Sequence, residues 1–360
     1  MSGGLLCYCR SGFEPELAAE LGERAAAAGH HGYADTARGS GFVRFPVPGG
    51  DAGALSRALP WRRLVFARQK LVLLDELAGI DTGDRVGAVL AALEPRAAAS
   101  TGRGTGFGSL VVEHPDSDAA RPLAGLARAL GNALRPALRK AGLLAAGDDP
   151  RLPRLHACLL AGDHLLLATA DPADASPYPM GAPRLRLHRE APSRSALKLE
   201  EAFLTLLGDR ERERLLRPGL TAADLGAAPG GWTWVLQRAG LQVTAVDNGP
   251  LRPHVLQAGG VEHLREDGFR WQPPRTLDWM VCDMVEQPRR VASRMATWFR
   301  EGWCRQAVFN LKLPMKKRWL ETRLCLDLFQ EEAGRPLELR ARQLYHDREE
   351  ITVVALPNGR

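Results

Sequence analysis

A chain of 360 residues with a net charge of +6 and a pI near 9.2 has length for roughly two to three domains at ~100–200 residues each, and buries a core without staples. The charge is evenly spread, 22 basic against 20 acidic residues up to position 190 and 26 against 22 beyond it, so a polyanionic partner is permitted but not demanded. No run reaches the ~18 apolar residues of a membrane span, the N-terminus lacks a basic, apolar leader, and the six cysteines (7, 9, 158, 282, 304, 325) form no C-x-x-C pair, which together predict a reduced, cytoplasmic chain with no membrane partner.

The first half reads as alternating short strands and helices, an α+β pattern. Leu5–Cys9 is a predicted strand, and Glu14–Ala28 has helical spacing that stops at Gly29. Cys7-x-Cys9 is not expected to ligate a metal. Strands are predicted at Gly41–Phe45, Leu64–Ala67 and Leu110–Glu113, helices at Arg85–Leu93 and Pro122–Ala141. Leu155–Ala161 and His164–Ala170 form a hairpin around Gly162-Asp163. The glycine-rich stretch Ala97–Gly108 reads as a loop whose Arg103 is a candidate phosphate contact. No catalytic constellation is visible in this half. Asp171–Pro183, rich in proline and poor in apolar residues, reads as a linker, which sets boundaries of 1–170, 171–183 and 184–360. The basic lead-in Arg184, Arg186, His188, Arg189 and Arg194 could track a phosphate backbone.

The second half is organised around Asp224-Leu-Gly-Ala-Ala-Pro-Gly-Gly-Trp232. A buried strand enters this turn, and a helix leaves it at Gly231, closed by Gly240. Glycines there let the backbone approach a ligand where a Cβ would block it. The next strand, Leu241–Asp247, ends in a carboxylate that can accept from both hydroxyls of a ribose. Gly226-x-Ala228-x-x-Gly231 nearly matches the dinucleotide fingerprint, so a nicotinamide or flavin reading competes. Three features favour S-adenosyl-L-methionine. Asp224 stands two residues before the first glycine, where it could meet the methionine ammonium. Pro229-Gly230-Gly231 stiffens the turn differently from a pyrophosphate loop. Asp267 follows the third strand, Val261–Leu264, where the adenine amino group would fall.

Only six of the 48 basic residues are lysine: Lys70, Lys140, Lys198, Lys312, Lys316 and Lys317. Arginine cannot give up its proton in a protein, whereas lysine can if its pKa is pulled down. A helix from Ser195 puts Ser195 and Lys198 on one face. Leu277–Asp283 is an apolar strand ending in an acid, and Gln306–Lys312 is one ending in a lysine. Glu349-Glu350 opens a last strand, Ile351–Leu356. In doubly wound sheets the carboxyl ends of strands face the ligand crevice, so Asp283 and Lys312 are expected beside the cofactor turn.

These motifs resemble the ribose 2′-O-methyltransferases that use a Lys-Asp-Lys-Glu tetrad on a Rossmann-like sheet. The resemblance is strongest to the bacterial 23S rRNA ribose methyltransferase M family. It rests on Ser195-x-x-Lys198-Leu-Glu-Glu-Ala-Phe203, Asp224–Trp234, Asn310-Leu-Lys-Leu-Pro314 and Gln343–Val353. It implies a class I methyltransferase domain behind a ferredoxin-like, THUMP-type RNA-binding region, and a metal-free site. The implied tetrad is Lys198, Asp283, Lys312 and Glu350, with the adjacent Glu349 as the alternative. Cofactor contacts are implied at Ser195, Ala228, Pro229, Gly230, Gly231, Asp247, Asp267 and Asp283, besides Asp224 and Gly226 of the same turn. The implied substrate is a cytidine (2498) in the peptidyl-transferase region of 23S rRNA before subunit assembly is complete, acted on by a monomer. An RNA-binding assembly factor without turnover is the alternative.

The chemistry suits a ribose hydroxyl, which needs a base as the methyl moves from sulfur to oxygen. Lys312 is assigned as that base and Lys198 as the group polarising the ribose oxygen. A second ammonium favours the neutral amine while carboxylates oppose it. Methylation of a base amine commonly uses Asn/Asp-Pro-Pro-aromatic at the fourth strand end, where this chain has Asp283-Met-Val-Glu-Gln-Pro288. Carbon methylation needs a Pro-Cys thiol there; Cys282 lacks the proline and alternates away from Asp283, so it is assigned to the core.

Overall fold

Residues 3–99 and 106–358 are described by the computed structural model, backbone alone at 96–99, and they fall into two units, Met1–Ala182 and Pro183–Arg360. The first unit runs β1 (Gly4–Tyr8), α1 (Glu14–Ala27), β2 (Phe42–Pro46), α2 (Ala52–Ala58), β3 (Gln69–Ala78), α3 (Arg85–Ala99), β4 (Ser109–Glu113), α4 (Ala124–Lys140), β5 (Arg154–Ala161) and β6 (His164–Ala170). Its six strands form one sheet in the order β2-β1-β3-β6-β5-β4, antiparallel except for β4 against β5. Leu130, Leu134 and Leu138, one turn apart on α4, are buried against sheet residues such as Leu155 and Leu167.

Three expectations for this unit change. Leu64–Ala67 is buried but is not a strand. Its backbone donors go instead to the buried Glu20 carboxylate, from Val65 N at 2.7 Å and Phe66 N at 2.9 Å. The strand begins at Gln69, where Lys70, Asp75 and Glu76 interrupt the apolar pattern that would have announced it. Of the loop expected at 97–108, the residues up to Ala99 belong to α3. At its far end Phe107 N donates to Leu143 O at 2.8 Å. Residues 100–105, including Arg103, lie outside the described residues.

The segment 171–183 is not a free linker either: up to Ala182 it is folded into the first unit. Asp174 accepts from Trp61 N at 2.7 Å and pairs with the Lys70 ammonium. Ser176 exchanges hydrogen bonds with the Gln69 amide at 2.9 and 3.0 Å, and Met180 N donates to Glu113 Oε2 at 2.6 Å. Composition suggested a spacer because the segment has little apolar surface. It is held by the Asp174 carboxylate and by backbone groups of Ser176 and Met180 that meet the buried Gln69 and Glu113 side chains. Lys70, 2% exposed, also donates to Ser56 O at 2.6 Å and Leu59 O at 2.8 Å. Truncating it orphans two carbonyls and a carboxylate, so Lys70→Ala is expected to cost about 3 kcal/mol, read from the urea midpoint of the full chain.

The second unit runs α5 (Ala196–Leu206), α6 (Asp209–Leu215), β7 (Thr221–Leu225), α7 (Gly231–Arg238), β8 (Gln242–Val246), α8 (Pro253–Gln257), β9 (Val261–Leu264), β10 (Leu277–Cys282), α9 (Pro288–Arg300), β11 (Cys304–Lys312), α10 (Arg318–Glu332), β12 (Leu337–Arg342) and β13 (Glu350–Pro357). The sheet order is β12-β13-β11-β10-β7-β8-β9. Strands β7 to β11 are mutually parallel, and β13 runs antiparallel to both β11 and β12. The chain leaves β7 toward β8 on one side and returns to β10 on the other, so the crevice of this sheet opens at the carboxyl ends of β7 and β10. Helices α6, α8, α9 and α10 and strand β12 were not anticipated. The apolar face of α9 (Val291, Ala292, Met295, Ala296, Phe299) nonetheless follows helical spacing. Trp279 at the centre of β10 packs edge-on to Phe203 of α5 at 5.5 Å, which ties α5 to the sheet.

Candidate functional site

Four parallel strands deliver their last residues to one edge of the sheet. Leu225 passes into the glycine turn, Val246 into Asp247, Cys282 into Asp283, and β11 ends on Lys312. Cys282 is in register with Leu225 on one side and Phe309 on the other, which sets Asp283 level with the start of the turn. Strand β13 arrives from the opposite direction, so its first residue, Glu350, pairs directly with Lys312, and Thr352 with Asn310.

Two ammoniums and two carboxylates close into a ring. Lys312 Nζ lies 2.7 Å from Asp283 Oδ1 and also contacts Glu350 Oε2. Lys198 Nζ, reaching in from α5, lies 3.2 Å from Asp283 Oδ2 and 2.5 Å from Glu350 Oε1. Each carboxylate therefore meets both amines, one oxygen to each. The two glutamates left open by the sequence are separated by this geometry. Glu350 joins the ring, while Glu349 is exposed and pairs with Arg318 at 2.5 Å. Burial by itself would raise the Asp283 carboxyl, but the Lys312 and Lys198 ammoniums hold it below its usual value. Burial by itself would lower Lys312, but Asp283 and Glu350 more than offset it, so its pKa stands above the ordinary value.

A supporting shell went unassigned in the sequence. Asn310 Nδ2 donates to Asp283 Oδ1 at 2.8 Å, and Thr352 Oγ1 lies 2.7 Å from Asn310 Oδ1 and 3.1 Å from Asp347 Oδ2. Asp347 also accepts from Leu344 N at 2.9 Å. Glu201, one turn beyond Lys198 on α5, accepts from Tyr345 N and His346 N at 2.7 and 2.9 Å, fixing the loop that leads to Glu350. Period-two spacing was the available signal, since Asn310 and Thr352 share faces with Lys312 and Glu350.

Beside the ring, a cleft of about 230 Å³ is lined by Ser193, Ser195, Asp224, Gly226, Ala227, Ala228, Pro229, Trp232 and Asp283. Gly226 (φ +76°) admits no side chain, because a Cβ there would lie 2.4 Å from Met284 Cγ. At Gly231 it would lie 2.1 Å from Ser195 Oγ. Ser195 is held in turn by its carbonyl, which accepts from Trp232 Nε1 at 2.9 Å. Gly230 (φ +109°) starts α7. Asp247 accepts from Ala228 N at 2.9 Å and Gly249 N at 2.7 Å, which leaves carboxylate lone pairs for a ligand. Asp267 is half-exposed, accepts from Phe269 N at 2.8 Å, and is not among the residues lining the cleft. Asp224 is buried under the turn, accepting from Thr233 Oγ1 at 2.6 Å. Cys282 is fully buried, and burial pushes its thiol up to about 12, the behaviour of a packing residue. A larger cavity of about 820 Å³ lies apart from the ring, between β7–β9 and residues 271–277. Among the described residues no group of acids, cysteines and histidines is placed to hold a metal, and no helix is long and apolar enough to cross a membrane.

Three family models match in succession: the RlmM ferredoxin-like domain over residues 1–71, the N-terminal region of ribosomal RNA large subunit methyltransferase M over 84–170, and FtsJ-like methyltransferase over 191–325. A curated protein of Xanthomonas axonopodis pv. citri, named ribosomal RNA large subunit methyltransferase M, is 66% identical over 353 residues, 98% of this chain and 99% of its own. The chain belongs to the ribosomal RNA large subunit methyltransferase M family. A second member of this family, from Xanthomonas campestris pv. campestris (strain B100), is also 66% identical, over 355 residues, with the same coverage of both chains. The solved TrmN of Thermus thermophilus aligns over 98% of this chain and 99% of its own at 17% identity, with a TM-score of 0.36, too loose a likeness to argue from. The methyl donor of this methyltransferase family is S-adenosyl-L-methionine. The residues here fit it: a side chain would clash at Gly226 and Gly231, Asp224 stands on the cleft wall, and Asp247, which like Asp267 is not among the lining residues, keeps spare acceptors beside Ala228.

Burial pushes the Asp224 carboxyl up to about 7, against the lowering hydrogen bonds from Thr233. An unfolded aspartate titrates near ~3.9. Between those values the folded chain keeps a proton that the unfolded chain releases, so stability falls as pH rises through the window. The penalty reaches roughly 4 kcal/mol above neutrality. Asp224→Asn cannot ionise, and its thermal midpoint is expected to gain on the parent's as the pH is raised from about 5 to about 8. The same variant should bind S-adenosyl-L-methionine more weakly in calorimetry if the carboxylate meets the methionine ammonium.

Proposed function

We propose that this chain transfers a methyl group from S-adenosyl-L-methionine to the ribose 2′-hydroxyl of a cytidine in 23S rRNA. Family membership supports methylation of large-subunit ribosomal RNA. The ribose oxygen as acceptor is supported by the ring of Lys198, Asp283, Lys312 and Glu350 beside the glycine turn. The cytidine, and action before subunit assembly is complete, follow from the family resemblance. In the same reading residues 1–182 hold the RNA, as a THUMP-type region does.

The bound cofactor supplies an electrophilic methyl group on a positively charged sulfur, and that charge disfavours a charged amine nearby. The hydroxyl oxygen attacks the methyl carbon while its proton passes to Lys312 Nζ. A C–O bond forms as the C–S bond breaks, leaving S-adenosylhomocysteine. Lys198, the second ammonium on the same carboxylates, polarises the ribose oxygen. Asp283 and Glu350 orient both amines, and Asn310 fixes Asp283. Holding the attacking oxygen in line with the methyl group accounts for several of the ~7–11 kcal/mol available from positioning. The two carboxylates that position Lys312 also keep it protonated at rest, so the neutral amine is scarce near pH 7.

Unmodified 23S rRNA incubated with the protein and tritiated donor is expected to yield a label in an alkali-resistant dinucleotide, because a methylated 2′-oxygen cannot cleave the adjacent phosphodiester. A label on a base, or none, rejects the assignment. Lys312→Ala is expected to lower kcat by ~10²–10⁴ with little change in donor affinity by calorimetry. The parent rate should rise with pH as the small neutral fraction of Lys312 grows, with no plateau below the ordinary lysine value of ~10.4, and the variant's should not. Glu350→Gln is expected to lower kcat at least about tenfold and Glu349→Gln less than about twofold in the same assay, since only the former leaves both amines short of a counter-charge.

A further inference from the structure

The two most exposed large hydrophobic side chains among the described residues are Val285, 88% exposed, and Met315, 79% exposed. They stand on the loops that follow the two strands bearing the central acid and amine, Val285 two residues after Asp283 and Met315 three after Lys312. Neither loop is loose. The Met284 side chain is packed against Gly226 and Gly268, and Glu286 pairs with Arg290 at 2.8 Å. On the other loop Leu313 is buried and its N–H donates to Glu349 O at 2.8 Å, while Glu349 is in turn held by Arg318. Both apolar side chains are thus presented to water by anchored backbone, two and three residues along the chain from members of the ring. Lys316 and Lys317, beside Met315, are exposed. They are two of only six lysines in the chain.

We propose that Val285 and Met315 form apolar contacts for the nucleobases of the RNA strand whose ribose is attacked, with Lys316 and Lys317 taking its flanking phosphates. The inference rests on the RNA reading above and adds the surface that presents the strand. A 2′-hydroxyl can reach Lys312 only if its nucleotide is drawn out of its stack. Apolar side chains serve as wedges against bases that have been unstacked. Apolar residues flanked by cations match the alternation of flat bases and charged phosphates along one strand, and the loops continue directly from the catalytic ring.

The test uses the full chain and an unmodified 23S rRNA transcript. Val285→Ser/Met315→Ser is expected to weaken RNA affinity in filter binding, and to raise KM for RNA, by about 5- to 50-fold through lost apolar burial. Donor affinity and thermal midpoint should stay at parental values. Restoring apolar bulk with Val285→Ile/Met315→Leu should recover both RNA parameters. Lys316→Gln/Lys317→Gln should make the slope of log affinity against log salt shallower by about 1.4. Parental RNA affinity and KM in the serine pair overturn the proposal. So does retained RNA affinity with loss of binding to a ribosomal protein, which would give the loops to a protein partner. Filter binding does not depend on which atom is methylated, so it separates failure of this surface from failure of the ribose assignment, which shows in the parent protein as alkali-sensitive product.

Discussion

The ring of two lysines and two acids is the constraint on which the site depends. Its members come from α5, β10, β11 and β13, so four elements must be in register before any of the charges is satisfied. A buried charge with one partner missing is costly. Here each carboxylate spans both ammoniums, and no member can be withdrawn without leaving an odd charge. Asn310, Thr352 and Asp347 extend the same logic one layer outward. The polar atoms there are held by other side chains, which fixes the amine positions.

That constraint conflicts with the proposed chemistry in an informative way. The acids that aim Lys312 also raise its pKa, so positioning and basicity are set against each other. A protein could relieve the conflict by moving the acids away, at the cost of direction. This one keeps the acids close and leaves relief to whatever positive charge arrives with the donor. Orientation is what the folded chain itself supplies, and the electrostatic bias toward the neutral amine is left to the assembled complex.

In the first unit a different use of buried charge appears. Glu20 replaces a neighbouring strand for the backbone of Val65 and Phe66, while Lys70, Gln69 and Glu113 hold the stretch up to Ala182. Segments that look unstructured by composition are fixed by side chains from elsewhere. Composition alone would end the first unit at 170, short of Ala182 where it closes.

Local pattern announced the glycine turn, the acid at position 247, and the apolar strands ending at Asp283 and Lys312, because tight turns and buried strands impose residue types on their own few positions. The helix face shared by Ser195 and Lys198 was equally legible. Other features needed the tertiary structure. Glu350 is distinguished from Glu349 only by the antiparallel register of β13 against β11, since a one-residue slip turns every side chain to the other face. Helices α8 and α9 open on Pro253 and Pro288, a start signal that was available but lacked a capping side chain, and Leu64–Ala67 looked like a strand because burial and strand share an apolar signature. Sequence determined which chemical groups were available and at which strand ends. Only the packed sheet decided which of them meet, because pairing between segments far apart in the chain is set by backbone register and buried charge, and neither is written in any single stretch.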